Sequence, residues 1–205
     1  MKNAEQIMKK KSLYRAEIEK NLPENESDAL WQKAMERLGE YLDRYSSLPK
    51  GVHMHTDNKI LPGAAIYLTL KEAIGQEKAY MVMKDAAVLN CAKIAKKLQK
   101  LMKLPGMQGM FLKAWDPLAK KLFGAANGFQ NVFYPKKKGE YRMDVTACPY
   151  ARYFTELGCP ELTALSCDSD EWVYGDLPGI RFERTGTIGK GAERCDFCLR
   201  RLRNS

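Results

Sequence analysis

Apolar residues recur at steps of three and four through the first 122 positions, then at alternate positions in short runs, so helices precede strands. Residues 3–22 carry Ile7, Tyr14, Ile18 and Leu22 on a weak amphipathic face, ended by Pro23. After Asn25-Glu26-Ser27, which can cap a helix, Trp31, Ala34, Met35, Leu38, Tyr41, Leu42 and Tyr45 form a strong helical stripe stopped at Ser46-Ser47-Leu48-Pro49. Residues 50–62 read as a loop holding both histidines, His53 and His55. A short helix is expected over residues 63–74, closed by Gly75. A long one follows over 76–103, with Met83, Ala87, Cys91, Ile94, Leu98 and Leu101 sharing a face. Leu104-Pro105-Gly106 breaks it, and another helix spans 108–122.

From Gly124 the pattern changes. Residues 131–134 and 141–146 read as strands joined through Pro135 to Gly139. Residues 180–188 and 194–199 read as a second hairpin across 189–193, and helices over 149–157 and 161–174 lie between the two. The expected class is α+β: an N-terminal helical part, residues 1–50, packed with a hydrolase-like unit, residues 51–205, built on a small antiparallel sheet with inserted helices.

With 45% hydrophobic and 29% charged residues over 205 positions, the chain can build a core, which argues against disorder. No apolar run approaches the ~18 residues of a membrane span, and the charged start lacks a signal-like apolar stretch. The expectation is a cytoplasmic protein without membrane contact. A net charge of +9 invites a nucleic-acid reading. The basic runs, however, fall in four separate places (Lys9 to Lys11, Lys93 to Lys103, Lys136 to Lys138, and Arg200, Arg201 and Arg203) without interleaved aromatics, which points to solvated faces.

The cysteines carry the chemistry. Cys91 stands alone on a core face, while Cys148, Cys159, Cys167, Cys195 and Cys198 fall in the last third. Cys148 precedes Pro149, a residue suited to the first helical position, so its thiol feels the helix start and its free N–H groups. Cys167 opens an acidic cluster, Asp168-Ser169-Asp170-Glu171, that could place carboxylates beside a thiol or simply favour a helix start. Cys159 sits in a Gly-Cys-Pro terminator and reads as structural. Cys195 and Cys198 form a C-x-x-C, but within a strand they point to opposite faces, and no second pair completes a zinc site. Arg184 falls on the core side of its strand by alternation, next to Thr185, where a guanidinium could grip a carboxylate; solvated strand charge is the plain alternative. His53 and His55 could share one side of an extended segment, but no third ligand accompanies them.

Taken in order, Cys148-Pro149, Glu161-Leu162, Cys167-Asp168-x-Asp170, Pro178, Arg181-Phe182-x-Arg184-Thr185, Gly191 and Cys195-Asp196-Phe197 resemble the L-2-amino-thiazoline-4-carboxylic acid hydrolase family. The resemblance covers about residues 60–200 and is sharp over 145–198; Cys198 departs from it. It implies a hydrolase opening a small cyclic amidine or thiazoline at a carbon–nitrogen or carbon–sulfur bond, acting on a small molecule with a carboxylate. Cys148 would be the nucleophile, Asp168 or Asp170 would move protons beside Cys167, and Arg184 with Thr185 would hold the carboxylate near Cys195 and Asp196. No histidine in this region can serve as base. Either carboxylates do that work without a cofactor, or Cys148, Cys167 and Cys195 converge on a thiophilic metal such as zinc. The last hairpin is also similar to the tail of 4-vinyl-reductase-like domains, which implies small-molecule binding without turnover. Homo-oligomer formation stays open.

Overall fold

The first stripe of apolar positions folds as three helices, α1 (Ala4–Met8), α2 (Ser12–Asn21) and α3 (Glu24–Arg44), in a computed structural model that describes residues 3–202. Arg203 and the first two residues of the charged start lie outside the described residues. The Asn3 side chain caps α1 by accepting from the Gln6 N–H at 3.2 Å. A 3₁₀ turn at Lys9–Lys11 separates α1 from α2, so the segment expected as one helix is two.

The stretch read as a loop is helical. α4 (His53–His55) passes through a π turn, Thr56–Ile60, into α5 (Leu61–Ile74). Pro62 lies in the first turn of α5; it has no N–H to give the Asn58 carbonyl four residues back, and that carbonyl accepts from the Lys11 ammonium at 2.5 Å. α6 (Gln76–Met102) buries Ala79, Val82, Met83, Ala86, Cys91, Ala95 and Met102, while Ile94 and Leu101 stay 43% and 38% exposed. The expected face followed a seven-residue repeat, and an unsupercoiled helix drifts ~20° per heptad from that repeat, enough to carry the last members outward. α7 (Met107–Leu122) starts after Gly106, whose φ of 79° suits glycine.

The sheet is antiparallel, in the order β1 (Gln130–Phe133), β2 (Glu140–Ala147), β4 (Cys195–Arg201), β3 (Ile180–Glu183). The helices α8 (Pro149–Glu156) and α9 (Glu161–Tyr174) separate β2 from β3. The register sets Met143 opposite Phe197 and Val145 opposite Cys195. Cys195, Phe197 and Leu199 thus share the inner face, and Cys198 turns to the other, as the alternation predicts.

β3 ends at Glu183, five residues before the expected strand end. The Asp196 carboxylate accepts from the Thr185 and Gly186 amides, each at 2.8 Å, and the Thr187 hydroxyl accepts from the Gly189 amide at 3.1 Å. Backbone groups that a strand would pair are therefore held by side chains, and the chain loops through a 3₁₀ turn at Ile188–Lys190 instead.

Two cores result. One joins α1, α2 and α3 to α5, the first half of α6, α8 and α9 around Ile18, Leu38 and Tyr67; the other joins the sheet to α7 and the end of α6 around Trp115, Phe197 and Leu199. Tyr150 packs against both. No helix among the described residues is long and apolar enough to cross a membrane.

Candidate active site

β2 hands directly into α8, and Cys148 is the residue between them, in extended conformation at the N-cap with Pro149 in the first turn. The helix start does favour a thiolate there, through the Ala151 and Tyr150 amides, but no capping hydrogen bond closes. Burial outweighs it and pushes the Cys148 thiol up to about 11. Cys148 is a neutral thiol at neutral pH.

Cys167, midway along α9, has the opposite surroundings. Its sulfur has the Cys195 thiol, the Thr187 side chain and Gly189 as neighbours, and the Arg184 guanidinium lies close by. Led by the Cys195 side chain, these neighbours outweigh burial and hold Cys167 well below the ordinary thiol range. Cys195 is raised in turn, by the neighbouring Cys167 sulfur first and then by burial; its own sulfur accepts from the Ile188 amide at 3.3 Å. Gly189 makes this approach feasible: a Cβ there would stand 2.8 Å from the Cys167 sulfur and 2.9 Å from the Ala164 nitrogen.

One turn further along α9, Asp170 faces the same space. Burial raises its carboxyl to about 7, against the pull of Arg184. Its side chain nevertheless keeps 40% of its surface open, so it is surrounded by protein and still within reach of solvent. Arg184, only 6% exposed, donates to Asp170 at 3.1 Å and to the Cys167 carbonyl at 3.0 Å, and lies 3.6 Å from Glu171. Its guanidinium ties α9 to the end of β3. Thr185 donates to Asp196 at 2.7 Å and Asp168 pairs with Lys190 at 2.5 Å. The residues singled out in the sequence thus divide. Cys148, Cys167, Asp170, Arg184 and Cys195 converge, whereas Asp168, Thr185 and Asp196 fasten the loop around them.

Several members of the site carry no sequence signal. The negative charge of Asp170 is felt by Cys148, Tyr150, Tyr174 and Cys91, which line one neighbourhood at the seam of the two cores. Tyr14 of α2 is near Cys91 and Tyr150, and Lys59 of the π turn is near Asp170 and Cys91. The two histidines, set on a helix, diverge and have separate partners, so they form no metal pair. His53 is 2.9 Å from Asp57. His55 donates from Nε2 to the Leu122 carbonyl at 2.8 Å, which leaves Nδ1 to accept from the Tyr150 hydroxyl at 3.1 Å. Burial lowers its pKa, so His55 is neutral and orients Tyr150.

Among the described residues, no group of three or more His, Cys, Asp or Glu is arranged to hold a metal ion. Cys167 and Cys195 are the two thiols that meet. The depression of about 480 Å³ lined by Tyr67, Tyr80 and Glu161 contains none of these thiols.

No curated protein and no solved structure matches the chain. A family profile does match, over residues 53–199, a span that holds α8, α9, all of the sheet but the last two residues of β4, and every thiol described above. By that match the chain belongs to the L-2-amino-thiazoline-4-carboxylic acid hydrolase family.

Proposed function

We propose that the protein opens a small cyclic amidine, of the kind represented by 2-amino-thiazoline-4-carboxylate, by thiolate catalysis at Cys167. The observation that carries this is the approach of the Gly189 loop and Cys195 to the Cys167 sulfur, polar surroundings that favour its thiolate, with a carboxyl of pKa about 7, Asp170, one helical turn away. A thiolate prepared at neutral pH beside a group that can both give and take a proton is the minimum a hydrolase of this kind needs.

The thiolate adds to C2 of the ring, an amidine carbon whose cationic form suits an anionic nucleophile. The C2–S bond then breaks, since a thiol is a better leaving group than an amine, and protonated Asp170 delivers a proton to the departing sulfur. A water, giving its proton to the Asp170 carboxylate, attacks the carbon now bound to Cys167. The C–S bond to the enzyme breaks, and Cys167 leaves as the thiolate its polar surroundings favour. Substrate plus one water yields a ureido acid with a free thiol. Cys148, neutral at the start of α8, lines the site and acts as neither base nor nucleophile. Cys195 and Thr187 act through Cys167, and Arg184 through Asp170 and α9.

Release of free thiol from 2-amino-thiazoline-4-carboxylate tests the reading. The wild-type protein should turn over, and Cys167→Ser should lower kcat/KM by about a thousandfold or more, the scale of losing a covalent nucleophile. Binding of the compound without turnover would replace this reading with that of a small-molecule binding domain.

A further inference from the structure

Buried hydroxyls are paired as a rule, because burying one alone costs free energy. Thr163 departs from that rule. It lies in the first turn of α9, 4% exposed, and its Oγ1 has no hydrogen-bond partner among the described residues. The two serine hydroxyls of the same helix bond back into it, Ser166 to the Leu162 carbonyl at 3.0 Å and Ser169 to the Ser166 carbonyl at 2.6 Å. Thr163 makes no such bond, yet it stands on the face of α9 that carries the site. Thr163, Cys167 and Asp170 follow one another at steps of four and three, so their side chains leave the helix on one side. Thr163 is about 6 Å before Cys167 along the axis, and Asp170 about 4.5 Å after it. The loop between β3 and β4 covers the first two together. A Cβ on Gly189 would stand 2.9 Å from the Thr163 carbonyl carbon and 2.8 Å from the Cys167 sulfur.

We propose that Thr163 is a substrate-binding residue of the Cys167 site, its hydroxyl accepting an N–H of the amidine. This rests on the hydrolase reading above and adds the group that recognises the nitrogen side of the reacting carbon. That carbon carries sulfur on one side and nitrogen on the other. Asp170, which gives its proton to the departing sulfur, follows Cys167 along α9, so the sulfur lies toward that end of the helix and a nitrogen toward the other, where Thr163 stands. A hydroxyl oxygen suits that nitrogen. It accepts an N–H and, unlike a carboxylate, leaves the positive charge of the amidine for the thiolate to meet. A hydroxyl paired within the helix would have to break its bond to take a substrate, whereas one that the fold leaves unpaired is already prepared.

Thr163→Val keeps the shape and removes the hydroxyl, so stability and activity should part. The readouts are the thermal melt, kcat/KM for 2-amino-thiazoline-4-carboxylate, and the pH curve of Cys167 labelling by iodoacetamide. Thr163→Val should melt at or above the wild-type temperature and lose about tenfold to a hundredfold in kcat/KM, the scale of one hydrogen bond to a charged group. Its labelling curve should match that of wild type, since the hydroxyl acts on the substrate and not on the thiol. Thr163→Ser, which keeps the hydroxyl, should retain most of the activity. An unaltered kcat/KM in Thr163→Val, an equal loss in Thr163→Ser, or a labelling curve that shifts with the activity would overturn the assignment alone. Should Thr163→Val not fold, Thr163→Ala against Thr163→Ser gives the same comparison, and equal activities in those two would overturn it. Absence of turnover by the wild-type protein would overturn the hydrolase reading and the assignment with it.

Discussion

Two thiols of the same ordinary acidity are driven in opposite directions here by a few ångströms of surroundings. Cys148 has the helix start that sequence reasoning values, yet loses its solvent; Cys167 has Cys195, Thr187 and Gly189 as neighbours and a guanidinium nearby. The pH dependence follows with definite sign. A depressed thiol pKa means that the Cys167 thiolate forms as pH rises through a value below the ordinary ~8.5 of a free thiol. Iodoacetamide should therefore label Cys167 at a rate that reaches its plateau below pH 8, read by peptide mass mapping, while Cys148 stays unlabelled until far more alkaline pH. Asp170, raised to about 7, loses its proton above that pH, so kcat/KM should fall on the alkaline side of about 7. Thr187→Val, which removes one polar neighbour and keeps the shape, should shift the Cys167 labelling curve to higher pH. The sequence already made Cys148, Cys167, Asp170, Arg184 and Cys195 legible, because their order resembles a family. Thr187 and Gly189 were not legible, since a hydroxyl and an amide become neighbours of a sulfur only once a loop returns to α9.

At the scale of elements, the site depends on how the loop between β3 and β4 is fastened to α9. Gly189→Ala would set its Cβ against the Cys167 sulfur and the α9 backbone, at 2.8 and 2.9 Å, and the helix cannot yield. The loop must withdraw instead, taking its amide with it. The expected outcome is a folded protein with a raised Cys167 labelling pKa and at least tenfold lower activity; an unaltered labelling curve would contradict the role given to that amide. Arg184→Met should lower unfolding stability by about 2–3 kcal/mol, measured in denaturant. This is below the ~3–5 kcal/mol of breaking a fully buried pair, because Asp170 remains partly solvated. Helix and strand order could be read from apolar periodicity. What escaped was the helical path of residues 53–60, within a stretch that reads as a loop, and the end of β3, where Asp196 and Thr187 satisfy the backbone in place of a neighbouring strand.

For the whole molecule, the site lies where a helical core meets a sheet core, and the N-terminal helices belong to the first. α3 packs on α5, with Arg37 and Lys33 both pairing with Glu72, so α3 is part of the same packing unit as α5. Leu38, fully buried in α3, should cost about 2–5 kcal/mol on substitution by alanine. A fragment of residues 51–205 should lose its cooperative thermal transition, because the buried faces of α5 and α6 lose their cover; a sharp melt near that of the full chain would contradict this. The basic surface resolves into local pairing at several points, such as Lys136 with Asp116 at 2.9 Å and Arg200 with Glu140 and Glu183. The basic residues are thus spread and partly paired in place, and +9 is the net charge left over.

The central claim is that Cys167, and not Cys148, carries the reaction. The most direct measurement is turnover of 2-amino-thiazoline-4-carboxylate by Cys167→Ser and Cys148→Ser side by side, each shown to be folded by its thermal melt. The account predicts a loss of about a thousandfold or more in the first and of about tenfold or less in the second. The reverse order, with activity abolished by Cys148→Ser and retained by Cys167→Ser, would contradict it.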